Sequence, residues 1–333
     1  MFNMKRPDDA IIELIRKSGD PTNRSVAIAA HRELTAALQE PLRDAILVGN
    51  INIFSPIPLE PGASLDFPLD LLAPGEEDDH VAYTYPGNGR IAERQVEGDY
   101  VMVPTYMIAS SIDWLLRYSR EARWDIVQRA MQVLQASFIK KMNDDAWHTL
   151  LTAAADRNIV VYDADATAGQ FTKRLVSLAK IIIRRNGGGN STSMNRFNLT
   201  DIYGSPELKE DMRAWGLDQV DDVTRREIYI ADDSGEVMTK VFGCYIHDLD
   251  EFGQGQEYQN FWTNTLGASI HGSDLELAIG VDNTKGVFIN PIKQQVQIFD
   301  DPVLHRQGRQ GNYGWAEQGF AVLDGRACVA LSI

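Results

Sequence analysis

From Thr105 to Ala155 the chain carries no glycine and no proline. Within that run Val127, Met131, Leu134, Phe138 and Met142 recur at intervals of four, three, four and four. Charges such as Arg123, Arg129 and Lys140 fall off this stripe. The pattern predicts a long amphipathic helix buried along one side. About 30 residues at 1.5 Å each make it roughly 45 Å long, more than a small domain is wide. The start of the run, around Ser110–Tyr118, predicts a separate helix. The repeat is too short and its flanking charges too irregular for a coiled coil.

Before this run the periodicity is two. Val96, Gly98, Tyr100 and Met102 alternate with Glu97, Asp99, Val101 and Val103, and Asn88-Gly89 is a tight-turn signal. The Pro- and Gly-rich stretch upstream cannot be helical in its interior. Residues 51–104 therefore predict a two-stranded arm with no core of its own. Asn23–Glu40 is a helical patch that Pro41 is expected to end or kink.

After the long run, Asn158–Gln170 predicts a short strand and turn, and Phe171–Asn190 a helix closed by glycines. Ser205, Pro206 and Gly216 supply the cap, first position and stop of a short helix. Residues 226–247 predict a hairpin turning at Asp232–Gly235. The remainder is nearly all strand, with a final tight hairpin at Asp324-Gly325. The order of elements predicts an α+β fold.

The 333 residues carry a formal charge of −15, which argues against a nucleic-acid grip through a basic face. From Glu60 to Asp99 ten acidic residues stand against Arg90 and Arg94, so about half of the excess lies in the arm. No apolar run is long enough to cross a membrane, and the N-terminus lacks the apolar core of a signal peptide, so synthesis in the cytoplasm is expected. Cys244 and Cys328 sit in apolar, strand-like contexts and read as buried thiols.

One stretch could carry chemistry. Val160–Ala168 reads as apolar residues followed by Asp163-x-Asp165-x-Thr167, the pattern of the nucleophile strand in haloacid-dehalogenase-like phosphatases. Asp232-Asp233 would be the Mg²⁺-binding pair, and Lys173 or Lys180 the phosphate-stabilising lysine. Such enzymes place that strand at the head of a parallel βαβ sheet, whereas here it follows a long helix midway along the chain. Asp232–Gly235 is also an ordinary turn composition. The six histidines show no metal-ligand spacing, and Asn186-Gly-Gly-Gly-Asn lacks the Lys-Ser/Thr of a phosphate loop. No catalytic residue, metal or cofactor is assigned.

The element order, with Ser205–Ile230, Ile279–Ile292 and above all Phe299–Ile333, resembles the major capsid proteins of tailed bacteriophages, which have the Hong Kong 97-type capsid fold. The resemblance implies residues 1–50 as an N-arm and 51–104 as an extended loop lying over a neighbouring subunit. It implies 105–189 as a peripheral domain built on a spine helix, 190–290 as an axial domain, and 291–333 as the C-terminal strands of the peripheral domain. The function implied is a structural subunit whose pentamers and hexamers form an icosahedral head around double-stranded DNA, without sequence-specific binding. Its partners would be copies of itself, a portal, and scaffolding and cement proteins. Its location would be the virion, after synthesis in the host bacterial cytoplasm. An encapsulin-like compartment is the alternative.

Two departures from the family pattern matter. Some members cross-link through a lysine in the extended loop, but this chain has no lysine between Lys17 and Lys140, so a shell held by non-covalent contacts is expected. The N-terminal segment is also short for a scaffolding region. Candidate contacts between subunits are the acidic run Glu76, Glu77, Asp78 and Asp79 against the basic cluster His305, Arg306 and Arg309, together with Arg90 and Arg94.

Overall fold

The computed structural model describes residues 9–20, 22–48, 53–60, 62–68, 100–186, 197–215, 229–231, 237–272, 274–301 and 303–333. In chain order these form α1 (Asp9–Ser18), α2 (Arg24–Val48), β1 (Ser55–Pro58), β2 (Asp66–Pro68), β3 (Tyr100–Met102), β4 (Tyr106–Leu115), α3 (Leu116–Arg120) and α4 (Trp124–Asp156). There follow β5 (Val160–Val161), α5 (Lys173–Arg185), β6 (Asp201–Gly204), α6 (Pro206–Ala214), β7 (Tyr229–Ala231), β8 (Val237–Val241), β9 (Cys244–Asp248) and α7 (Glu257–Asn260). Last come β10 (Leu277–Val281), β11 (Phe288–Asp300), β12 (Arg309–Gln318), β13 (Ala321–Val322) and β14 (Cys328–Ser332). The fold is α+β.

The chain divides into two compact units. The first draws on Met1–Leu65, Val103–Ala146 and Ile289–Phe320; the second on Asp66–Met102, Trp147–Phe288 and Ala321–Ile333. Each stretch expected in the peripheral domain, 105–189 and 291–333, contributes to both units. The predicted spine helix is real: α4 runs 33 residues, about 50 Å.

In the first unit a sheet runs β1-β11-β12-β4, with β1 parallel to β11 and the other pairs antiparallel. One face buries Ile108, Trp114, Val296, Ile298 and Ala316 against Val127, Met131, Leu134, Phe138 and Met142 of α4, the stripe read from the sequence. Ile15 of α1 and Leu34, Leu38, Leu42 and Ile46 of α2 complete this core. At the helix–sheet contact the Phe138 ring occupies the place a side chain at 314 would take. A Cβ on Gly314 would lie 3.1 and 3.2 Å from two ring carbons and 3.2 Å from the Gln297 carbonyl oxygen.

A buried polar seam joins the N-terminal helices to this sheet. Gln310 Oε1 accepts from Ser119 Oγ at 2.5 Å and from Ser18 Oγ at 3.5 Å, and the Trp114 indole N–H donates to Ser119 Oγ at 3.0 Å. At the same seam the helix end at Gly19 lies against the α3 backbone, where a Cβ would fall 2.5 Å from the Arg120 nitrogen.

Two expectations in this unit are corrected. Residues 106–115 are a strand, not a helix: β4 pairs with β12 over ten positions, from Tyr106↔Gln318 to Leu115↔Arg309. Ile108 and Trp114 point inward while Met107, Ala109, Ser111, Asp113 and Leu115 are exposed, so the period is two. Of the two outcomes expected at Pro41, an end or a kink, the first is corrected: α2 continues to Val48. A proline inside a helix costs about 3 kcal/mol. Burying Leu42 and Ile46 beyond it returns about 1.5–3 kcal/mol each, enough to carry the helix on.

The second unit holds a seven-stranded sheet, β5-β14-β10-β6-β9-β8-β7. β10 and β14 pair antiparallel from Leu277↔Ser332 to Val281↔Cys328, and every residue of both is buried. The C-terminal part of α4 contributes Trp147, Leu150, Leu151 and Ala154, and α5 contributes Leu175, Val176, Ala179 and Ile183. Trp147 sits edge-on to Tyr203 (5.2 Å) and Phe252 (5.3 Å). Both cysteines are free and buried, as the sequence indicated. Each thiol faces a carbonyl, Leu199 for Cys244 and Gly325 for Cys328, and burial pushes Cys328 up to about 12.

Here too the structure corrects details. Asp324-Gly325 is not a hairpin between paired neighbours. Asp324 accepts from the Arg326 backbone N–H at 2.9 Å and opens a 3-10 turn, Gly325–Ala327, that leads into β14. Ser205 precedes Pro206 at the cap position of α6 but makes no capping bond. Its hydroxyl donates to Glu276 instead, a carboxylate being the stronger partner. The turn at Asp232–Gly235, the Asn88-Gly89 turn and Gly216 lie outside the described residues.

Two predictions follow from these packings. Gly314→Ala should destabilise the protein by about 1–3 kcal/mol, the usual cost of overpacking, read from the denaturant midpoint. Glu276 has its carboxyl raised above the ordinary range by burial, with Glu207 and Asp211 adding to the effect. A raised folded pKa favours the neutral form, so stability present below the unfolded pKa is lost as pH rises. Glu276→Gln should therefore raise the melting temperature at pH 7, and the gain should vanish below about pH 4.

Candidate assembly surface

The inward face of the first sheet is set by α4, and strand parity then dictates what the outward face presents. On β12, Gln310, Asn312, Gly314, Ala316 and Gln318 are buried, which turns Arg309, Tyr313, Trp315 and Glu317 outward. On β4 the outward set is Met107, Ala109, Ser111, Asp113 and Leu115. Met107, Ala109, Ser110, Ser111, Tyr313, Gly314 and Trp315 line a shallow groove of about 550 Å³. Phe299 of β11 stacks on Tyr313 at 5.5 Å and lies 6.4 Å from Trp315, so aromatics cross the strands. Met107 is 60% exposed and Tyr313 41%.

Charge frames this face. Arg309 Nη1 pairs with Asp113 at 3.0 Å across the β12–β4 ladder. Glu317 receives Lys293 at 3.0 Å and the Thr105 hydroxyl at 2.9 Å, and these two bonds hold its carboxyl below the ordinary range. β4 has no second neighbour in its sheet among the described residues, so it is an edge strand. Elsewhere the β2–β3 ribbon, registered Asp66↔Met102 to Pro68↔Tyr100, exposes Tyr100, Val101 and Met102.

Of the residues singled out from the sequence, Glu76, Glu77, Asp78, Asp79, Arg90 and Arg94 lie outside the described residues. His305 and Arg306 fall in the 3-10 turn Leu304–Gln307, ahead of β12, and their side chains lie outside the description. Arg309 starts β12 and already has an intramolecular partner in Asp113. Sequence reasoning missed the outward face of β4. Its signal was the alternation Met107-Ile108-Ala109-Ser110-Ser111-Ile112-Asp113-Trp114, which the absence of glycine and proline disguised as helix.

The phosphatase-like motif also has a place. β5 is a two-residue strand at the margin of its sheet, parallel to β14. Asp163 Oδ2 accepts from the Thr172 hydroxyl at 2.7 Å, and Thr172 in turn caps α5 by accepting from Leu175 N–H at 3.2 Å. Asp163 Oδ1 accepts from Asp165 N–H at 3.3 Å and lies 3.5 Å from Arg174 Nη1. Lys180 donates to the Phe242 carbonyl. The carboxylate thus anchors a loop to a helix start. Asp232 and Asp233 lie outside the described residues. Among the described residues no three His, Cys, Asp or Glu side chains are grouped to hold a metal ion, and no helix is long and apolar enough to cross a membrane.

Comparison with known proteins then bears on the architecture. No family profile and no curated protein matches the sequence. Solved structures do. The capsid of cyanophage Pam1 superposes with a TM-score of 0.54 at 11% identity, covering 87% of this chain and 92% of that one. The capsid of an empty GTA particle superposes at 0.53 and 12%, covering 84% and 88%. The fold is the Hong Kong 97-type capsid fold. An encapsulin complex from Synechococcus elongatus aligns at 0.48 and 13%, covering 86% of each chain, too weakly to bear on function.

Asp163→Asn is expected to lower stability by about 1–2 kcal/mol, because a neutral amide replaces the acceptor of Thr172 and the partner of Arg174. Chemical denaturation checks this. The wild-type chain is expected to hydrolyse no phosphate ester with Mg²⁺.

Proposed function

We propose that this chain is the major structural subunit of a bacteriophage head. Copies assemble as pentamers and hexamers into an icosahedral shell around double-stranded DNA. The observation that supports this best is a capsid fold shared over 84–87% of the chain with phage and GTA particles. The apolar outward face of β4 and β12 and the exposed ribbon β2–β3 fit the same reading. Both are surfaces that a lone subunit leaves wet and a repeated assembly buries.

In this reading residues 1–50 are the N-arm, 51–104 the extended loop over a neighbour, and α4 the spine of the peripheral domain. Peripheral residues span 105–189 and 291–333, and 190–290 form the axial domain. No lysine stands between Lys17 and Lys140, so the shell is held without a covalent link from the loop. The charge of −15 suits a wall that contains DNA without gripping it. A portal, a scaffolding protein and a cement protein are the further partners. The subunit is made in the host bacterial cytoplasm and resides in the virion. Glu76, Glu77, Asp78 and Asp79 meet His305, Arg306 and Arg309 between subunits, where burial on assembly strengthens ion pairs that are weak when exposed, and Arg90 and Arg94 are further contacts between subunits.

The purified chain should give shells, tubes, or five- and sixfold rings by sedimentation velocity and negative-stain electron microscopy. A monomer or dimer that also hydrolyses a phosphate ester only with Mg²⁺ overturns the reading, and shells that recruit a protein cargo and no DNA in the infected cell favour a compartment. Arg306→Glu with Arg309→Glu should leave the melting temperature of the subunit within a few degrees of wild type and block or slow assembly. Normal shells from that double variant would remove the charge-pairing proposal.

A further inference from the structure

One position in the second unit costs folding energy that the subunit itself does not recover. The last β8–β9 pair is Val241↔Cys244, so Phe242-Gly243 form a two-residue hairpin loop. Both residues have positive φ, 49° and 79°. Such a turn favours asparagine, aspartate or glycine at its first position, and a bulky aromatic there is strained. Burial does not compensate, since Phe242 is 53% exposed. The tip is nevertheless pinned, because Lys180 from α5 donates to the Phe242 carbonyl. A rigid, strained, exposed aromatic is shaped for a contact outside the chain.

The sheet shows where a matching surface lies. Phe242 sits by the start of β9, and the registers put the starts of β6, β14 and β5 at that same end. Tyr162 follows the end of β5, the strand at the opposite margin, and is 39% exposed. Its ring stacks on His271 at 3.4 Å. Leu275, 40% exposed, precedes β10 at that far end, where its N–H donates to the Ile333 carbonyl at 2.7 Å. The His271 N–H likewise bonds Ser332 Oγ at 2.9 Å. Tyr162 and Leu275 are thus tied to the last residues of the chain, diagonally across the sheet from Phe242.

We propose that Phe242 of one copy packs against Tyr162 and Leu275 of the next, as a head-to-tail contact. A knob and its seat at opposite ends of one sheet allow each copy to give its knob to one neighbour and its seat to another. They join copies in sequence, and a rotation between successive copies closes a ring. This rests on the shell reading and assigns the residues that hold neighbouring subunits of one ring together. The contact is apolar, which suits a chain of charge −15 whose copies repel at long range.

The test uses full-length chains. Phe242→Cys and Leu275→Cys are made separately, mixed during assembly and treated with a short reagent that joins two thiols. The native Cys244 and Cys328 are buried and stay out of reach. Covalent dimers in the mixture, absent from either variant alone, are expected. Phe242→Asn gives the favoured turn sequence, so the unassembled subunit should melt at the wild-type temperature or higher. The concentration it needs to assemble should rise on the order of tenfold, from the apolar area left unburied. Wild-type assembly by Phe242→Asn, or links only between two 242 positions, overturns this contact and leaves the shell reading standing. A wild-type chain that stays a small species and hydrolyses a phosphate ester only with Mg²⁺ overturns both.

Discussion

The contact of Phe138 with Gly314 governs the first unit. A helix can lie this close to a sheet only where the strand offers no side chain, and β12 offers Gly314 with Ala316 two residues on. That choice fixes the parity of β12, and the ladder carries it to β4. Everything outward then follows: Tyr313 and Trp315 beside Met107 and Ala109, with Arg309 reaching Asp113. A slip of one residue would bring Tyr313 under the helix and turn the inward set into solvent. Core packing and the exposed apolar face are two readings of one register.

The polar seam acts in the same direction. The Ser18 and Ser119 hydroxyls both donate to Gln310 Oε1 in a region without water access, and a shifted strand would take that acceptor away from them. Hydrophobic contacts from Leu34, Leu38 and Leu42 supply most of the attraction, but they tolerate sliding. Directional bonds to Gln310 do not. The N-terminal helices are therefore positioned by a few hydrogen bonds and held by many apolar contacts.

How much of this was legible depended on range. The α4 stripe was readable because helix periodicity is local, and every one of its five positions is buried. β4 was misread because Thr105–Leu115 contains no breaker, and the partner that makes it a strand lies some two hundred residues later in β12. Pro41 was read by its local cost, whereas tertiary burial of Leu42 and Ile46 decides the outcome. Asp324-Gly325 was read as a hairpin by composition, although the same residues equally start a 3-10 turn. Most of the charged residues proposed as contacts fall in 69–99, where no described geometry tests them. Phe242 could have been noticed as a phenylalanine where a hairpin wants asparagine, but its seat across the sheet is visible only once the strand order is known.

The first unit is assembled from three separated stretches of chain, and this has a consequence during synthesis. Its central strand, β12, is among the last parts made. At elongation rates of about 5–20 residues per second, the ribosome emits β12 roughly 15–55 seconds after α2. Until then α1, α2 and β4 have no complete surface to settle on, and the outward face that parity creates does not exist. A growing chain on a polysome therefore lacks the groove and ladder by which finished copies would recognise one another. The late completion of a discontinuous core separates the time of folding from the time of association, so crowded nascent chains are kept from joining before each is whole.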